Sequence, residues 1–358
     1  MSLVYVCSVR GSAGKNLVCL GLGRKMLDEG FNLAVTKPYG AKPLRIDDTY
    51  TDADAWMINQ TLELGLDPAQ CCPAVRTQDL VARTLRGEDL GVPQRIKDTC
   101  RELEKGRDLV IMCGAGTLRS GAMVGLSGYK TALELGAKVV IVERYENDFF
   151  LDDLLSAAAR LGDNLAGVIV NAVDQEMNDA LEEQVIPYLK GRGIETLGVM
   201  PKDDLLSSVT IADLAESLGA QTLTSRQHHD RLIRRFFIGA MQVGHASRFF
   251  GGARDFACIV GGDRPDMQVA AIQGGAACLI LTGNFYPGEL ILSQAEEREV
   301  TVLLVRSDTF TTARNLDLAR QRASLAQPEK LARGMELVRE GVYWDALYRS
   351  LGIEPKQG

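Results

Sequence analysis

The chain has little of what a metal centre needs: three histidines in 358 residues, two of them adjacent as His228 and His229, and no Cys-x-x-Cys pair. Structural metal sites draw on spaced His and Cys ligands, so none is expected. The eight cysteines fall mostly inside apolar runs (Cys7, Cys19, Cys113, Cys258, Cys278) and read as small core residues, while the vicinal Cys71-Cys72 makes no site alone. No apolar stretch approaches the roughly 20 residues that cross a bilayer. The opening, Met1-Ser2-Leu3-Val4-Tyr5, lacks the basic region and long apolar core of a signal peptide. Positive charge is also in short supply. A net charge of −7 argues against nucleic acid and anionic membranes as main partners. These absences leave a cytoplasmic, reduced protein as the expectation.

What is present is a soluble composition, 46% hydrophobic and 24% charged, in a chain long enough for two cores. Short apolar runs alternate with helical segments through the first two hundred residues. The expected strands are 3–8, 33–36, 109–113, 139–142, 167–171 and 196–200, each bounded by Gly, Asp, Asn or Pro. Runs that are apolar throughout, rather than alternating, belong to a parallel sheet buried on both faces. With helices between them the expected fold is α/β, a doubly wound, mostly parallel sheet. After Pro201 the pattern changes. Residues 202–250 read mainly as helix, with a polar surface stretch at 221–230 and with Arg231, Arg234 and Arg235 on a solvated helix face or an interface. A second alternation at 256–260, 277–282 and 302–306 predicts a smaller α/β unit. Tyr343, Trp344, Leu347 and Tyr348 then predict a docked terminal helix.

Residues 8–16, S-V-R-G-S-A-G-K-N, follow the first strand and open a segment of helical spacing that closes at Gly30. A strand, a Gly-Lys loop and a helix surround a phosphate with backbone N–H groups and a lysine countercharge. The candidate phosphate-binding residues are Gly11, Ser12, Ala13, Gly14, Lys15 and Asn16. Val9 occupies the position of the usual first glycine, and Asn16 replaces the hydroxyl that would touch Mg²⁺. A tight strand-to-helix connection with lysine in solvent is the competing reading.

Together with Val35-Thr36-Lys37-Pro38, this loop resembles the dethiobiotin synthetase-like branch of the P-loop proteins. Three further segments support the resemblance: residues 108–116 (D-L-V-I-M-C-G-A-G), Val170-Asn171-Ala172-Val173 and Leu197-Gly198-Val199-Met200-Pro201. It implies that Lys37 reaches the reacting groups if the protein is active and that Asn171 reads the nucleotide base. The second half is similar to the DRTGG domain through Gly261-Gly262-Asp263-Arg264-Pro265-Asp266, Leu281-Thr282-Gly283 and Ser307-Asp308-Thr309-Phe310. That order resembles the N-terminal regulatory half of long bacterial phosphotransacetylases, without the acetyltransferase domain that would follow. The expected division is a P-loop domain at 1–205, a DRTGG domain at 206–340 and a tail at 341–358.

Two departures bear on chemistry. Cys113 stands where the synthetases keep a metal-binding glutamate, and neither a thiol nor a neutral amide is a good hard ligand. Asp47, Asp48, Asp52 and Asp54 are the nearest carboxylates by pattern, with Asp52 and Asp54 the candidate metal ligands. A helix start stabilised by its dipole explains Asp52 and Asp54 equally well, and Lys37 reads equally as a surface lysine before a turn. In the second domain, Asp263, Arg264, Thr282, Gly283, Asp308 and Thr309 are candidates for a ligand site or an interface. The bland account of Asp263 is a helix cap before Pro265. The leading expectation is a regulatory or sensory protein that binds ATP or ADP with little or no catalysis, acts on a regulated enzyme partner and assembles as a homodimer. The alternative is a Mg²⁺-ATP-dependent ligase of the dethiobiotin synthetase or cobyrinic acid a,c-diamide synthase type. A structural module with no ligand is the third reading.

Overall fold

Among the described residues up to Pro201, eight strands form: β1 (Ser2–Cys7), β2 (Leu33–Thr36), β3 (Pro43–Ile46), β4 (Thr49–Asp52), β5 (Leu109–Cys113), β6 (Lys138–Arg144), β7 (Leu165–Val173) and β8 (Thr196–Pro201). The computed structural model describes residues 2–146, 150–224, 226–250, 252–253, 255–321 and 323–356. Six of the strands make one sheet in the order β2-β5-β1-β6-β7-β8, with every pair parallel. The apolar runs read as strands are those strands, and β6 and β7 extend beyond the expected ends. Their side chains are buried on both faces: Val6, Val110, Val140, Ile141 and Ile169 have no exposed surface. Each such side chain contributes about 1.5–3 kcal/mol of transfer free energy. β3 and β4 pair as a separate antiparallel hairpin.

The helix Lys15–Asp28 leaves the carboxyl end of β1 and stops where Gly30, at φ +80°, reverses the chain and its N–H returns to Leu27. Gly21 and Gly23 on its buried side allow close approach. A Cβ at Gly21 would run into the side chain of Val338 on the helix Pro328–Gly341. Gly21→Val is therefore expected to cost about 1–3 kcal/mol through overpacking, read as a lowered urea midpoint with an unchanged slope. The chain continues through a bridge between Val342 and Gly198 into the helix Trp344–Leu351, whose Leu347, Tyr348 and Leu351 are buried against β7 and β8. The docked terminal helix expected from the sequence is present.

By contact the chain divides into two compact units, Met1–Lys202 with Pro328–Gly358, and Asp203–Gln327. The segment 328–340, assigned with the second domain on sequence, thus lies with the first unit.

The second unit holds β9 (Val209–Thr210), β10 (Gln221–Thr222), β11 (Leu232–Ile233), β12 (Arg235–Ile238), β13 (Phe256–Gly261), β14 (Cys278–Thr282) and β15 (Thr301–Leu304). Five of them form a sheet in the order β10-β15-β14-β13-β12, parallel except for β10 at one edge. This corrects the expectation that residues 202–250 are mainly helix. Among the described residues there, only Ile211–Leu218 and Val243–Phe250 are α-helical. Phe236, Phe237 and Ile238 suit a pleated surface, and pairing with β13 satisfies one side of their backbone. Phe237 then packs edge-on to Phe256 and Phe250, at 5.1 and 5.6 Å between ring centres. The arginines are not on a helix face either: Arg231 pairs with Asp255 at 3.1 Å and Arg235 begins β12.

Candidate functional site

β1 lies between β5 and β6, and the chain leaving it turns first to one side of the sheet and later to the other. Open α/β sheets bind ligands in the crevice at such a reversal, outside the carboxyl ends of the strands. The loop at residues 8–16 occupies that place. Gly14 stands at the helix N-cap with φ +98°, where an added Cβ would strike the Asn171 amide. Ser12 is also left-handed, at φ 56°. Among the described residues the backbone N–H groups of Ser12, Ala13, Gly14 and Lys15 make no hydrogen bond, and no side chain caps the helix. The helix N-terminus therefore presents free donors and the positive end of its dipole to the crevice.

Lys15 is buried, and its ammonium donates to Ser8 Oγ and to the Gly116 carbonyl, both at 2.7 Å. Burial pulls its pKa below the ordinary lysine value, only partly opposed by Cys113, Cys7 and Glu143. Asn171 is 8% exposed; its amide donates to the Ala13 carbonyl at 2.8 Å, and its oxygen accepts from the Ala172 N–H. In this structure it braces the loop from beneath.

Glu143, at the end of β6, was not singled out from sequence. Its Oε1 accepts from the Val9 and Arg10 N–H groups, and the Arg10 guanidinium lies 3.6 Å from Oε2. Burial raises its pKa, against the pull of those N–H groups and Arg10. The only signal in the sequence was an acid directly after the apolar run 139–142.

On the other side of Lys15 the polar side chains are tied to one another. Cys113 Sγ donates to Asn16 Oδ1 at 3.1 Å. A hydrogen bond from Cys19 holds the Cys113 thiol below its ordinary pKa, burial opposes this, and Lys37 and Lys15 reinforce it. Lys37 is not a surface lysine. It is 4% exposed and lies 2.9 Å from Asp52 Oδ1 and 3.4 Å from Asp54 Oδ2. Burial disfavours its charge, but Cys113, Asp52 and Asp54 outweigh that and raise its pKa. Asp52 is the N-cap of the helix Ala53–Thr61: Oδ1 accepts from the Asp54 and Ala55 N–H groups, and Oδ2 from those of Ala41 and Lys42. Asp54 is contacted by Lys37, Lys42 and the Asn16 amide, which outweigh burial and hold its carboxyl below the ordinary range. Asp47 and Asp48 lie in the turn between β3 and β4, where Arg45 pairs with Asp48 at 2.8 Å.

These residues do not fit Mg²⁺, which demands several hard oxygen ligands at near-octahedral geometry. Position 113 offers sulfur, position 16 an amide oxygen already accepting a hydrogen bond, and Asp52 a carboxylate with both oxygens engaged. Among the described residues no three His, Cys, Asp or Glu side chains are grouped to share a metal ion.

In the second unit the three singled-out segments meet at the carboxyl ends of β13, β14 and β15. Thr282 and Thr309 share a hydrogen bond of 2.9 Å, the Gly283 N–H donates to Ser307, and the Gly262 N–H donates to Thr282. Asp308 accepts from the Thr311 N–H and hydroxyl, at 2.9 and 2.7 Å, at the start of the helix Thr309–Gln321. Asp263 does not cap the next helix as expected. Arg264 holds the N-cap position of Pro265–Gln273 without a side-chain cap, and its guanidinium turns to Asp266 at 3.1 Å.

Residues 3–210 match the family model described as an AAA domain, and residues 213–319 match the DRTGG domain. A phosphate acetyltransferase of Synechocystis sp. is 22% identical over 392 residues, covering 99% of this chain and 53% of that protein. Another, from Pseudomonas putida, is 28% identical over 340 residues, covering 88% of this chain and 47% of that protein. The chain thus spans about half the length of the curated relatives it matches. Among solved structures, the CBS and DRTGG domains of the regulatory region of Clostridium perfringens pyrophosphatase, in complex with diadenosine tetraphosphate, align at 17% identity. That match covers 41% of this chain and 72% of the other with a TM-score of 0.30, too low to build on. No helix among the described residues is long and apolar enough to cross a membrane.

Proposed function

The chain belongs to the AAA domain family through residues 3–210, with a DRTGG domain at 213–319, and on that premise we propose that it binds a nucleotide to regulate another protein. Its resemblance is to the N-terminal half of phosphate acetyltransferases. The observation that carries the proposal is the loop at the sheet's reversal point, where unbonded N–H groups and the buried ammonium of Lys15 converge. A buried lysine with a lowered pKa is unfavourable for the empty fold and has a use once an anion arrives. ATP or ADP is the ligand class proposed, with the phosphates over Gly14 and Lys15. The joined strand ends around Thr282, Gly283 and Thr309, with Asp263, Arg264 and Asp308 flanking them, are the proposed surface for a second small ligand or for the regulated enzyme. The ligase alternative draws no support from the donors at positions 16, 52, 54 and 113.

A thermal melt of the full chain tests the reading. A ligand at a hundredfold excess over its Kd adds about 2.7 kcal/mol to the folded state. For a domain of this size that moves the midpoint by roughly 5–10 °C. ADP or ATP is expected to produce such a shift in the first unit. No shift, with no heat of binding by calorimetry, would leave the loop as a simple connection. Steady ATP hydrolysis stimulated by a small carboxylic acid would instead restore the ligase.

A further inference from the structure

Four positions around the loop are closed to a hard cation, each for its own reason. Asn16, where a hydroxyl would touch the metal, spends its oxygen on the Cys113 thiol at 3.1 Å. Cys113, at the end of β5, presents soft sulfur and is 1% exposed. Asp52 has its two oxygens filled by four backbone N–H groups and the Lys37 ammonium. Asp54 shares its charge between Lys37 at 3.4 Å and Lys42 at 3.0 Å. A permanent cation, Lys37 Nζ, already lies between the two carboxylates that a divalent ion would otherwise neutralise. Bringing Mg²⁺ to them would place two positive charges against that buried ammonium and require breaking its ion pairs, which is costly where water is excluded.

We infer that this site takes its nucleotide as the metal-free anion, the Lys37 ammonium between Asp52 and Asp54 replacing the divalent cation of a hydrolytic P-loop. This rests on the nucleotide-binding reading above and narrows it. The phosphates are met by Lys15 and the helix N-terminus alone, so magnesium adds no contact and competes with the site for the free anion. The loop therefore retains recognition while the charge stabilisation that phosphoryl transfer needs is absent. A ligand whose dominant form in solution is a magnesium chelate has to shed the ion on binding.

Two measurements on the full chain decide the matter. In the first, ADP binding is followed by calorimetry in excess magnesium chloride and again in EDTA. ADP is expected to bind severalfold more weakly in excess magnesium, by the factor to which chelation lowers the free anion, and an affinity equal in the two buffers or tighter with magnesium overturns the inference. In the second, Mn²⁺ without nucleotide is titrated and bound ion is read by electron paramagnetic resonance. The wild type is expected to bind none at this site, and Lys37→Met, which removes the ammonium from between Asp52 and Asp54, to gain a bound ion. Manganese bound by the wild type and lost in Asp54→Asn, or no gain in Lys37→Met, overturns it. Lys37→Gln, which keeps a hydrogen-bond donor between the two carboxylates, provides the same comparison if Lys37→Met does not fold. Failure of ADP to bind in either buffer would end the nucleotide reading, while the manganese titration still decides on the metal.

Discussion

Asp52→Ala is expected to destabilise the first unit by about 3–5 kcal/mol, the usual effect of removing one partner from a buried ion pair. The residue has no exposed surface and is the meeting point of five donors. Its loss removes the cap of the helix Ala53–Thr61, a contribution of about 0.5–2 kcal/mol by itself. It also leaves the N–H groups of Ala41 and Lys42 facing an empty space and Lys37 with only Asp54 at 3.4 Å. Asp52→Asn is expected to help little, because its amide would turn donors toward the N–H groups that Oδ2 now accepts from. Urea unfolding followed by circular dichroism reads both changes, and a loss below about 1 kcal/mol would contradict the account. The acid side follows from Asp54. Its folded pKa lies below the ordinary 3.8, so its contribution is complete above that value and is lost as pH falls through the lowered one.

Lys15→Met is expected to separate stability from function. Each charge-assisted hydrogen bond to a phosphate contributes about 1.5–3 kcal/mol, so the loss in ADP affinity is expected on the order of 10- to 150-fold. The empty protein should melt no lower than the wild type. The sign comes from linkage: the folded pKa of Lys15 is depressed, so the unfolded chain binds the proton more tightly. Stability that the charged lysine subtracts at neutral pH returns only as pH rises through the folded value toward the ordinary 10.5. A methionine fills the space without that charge. Calorimetry with ADP and melts at neutral pH test the pair of outcomes together. A variant that binds ADP as well as the wild type would remove Lys15 from the site, and a large drop in melting temperature would show its ammonium to be a structural tie.

Burial on both faces is why the parallel strands were legible: Leu33–Thr36 and Leu109–Cys113 are continuous apolar runs with no competing period. The loop was legible because Gly14 must adopt a left-handed backbone where β1 gives way to a helix. The edge strand Arg235–Ile238 was not, since its end residues are exposed, the two phenylalanines between them are only half-buried, and the four carry no alternation. Lys37 and Asp52 illustrate a different blindness. Lys37 had an ordinary surface explanation and Asp52 that of a helix start, which it is, and only their meeting at 2.9 Å inside the fold joins the two. Glu143 lies over a hundred residues from the N–H groups it accepts, and no local pattern connects them.

The first unit is interrupted: the chain leaves it at Lys202 and returns at Pro328. During synthesis the helix that covers Gly21 therefore reaches its place only after the whole intervening unit has been made. At about 5–20 residues per second that delay is on the order of ten seconds. Through that interval the sheet, whose strands are all made, waits with the helix Lys15–Asp28 uncovered, so the unit encoded later is the one able to finish folding first. A chain truncated after Gln327 should accordingly be protease-resistant in its second unit and still sensitive in its first.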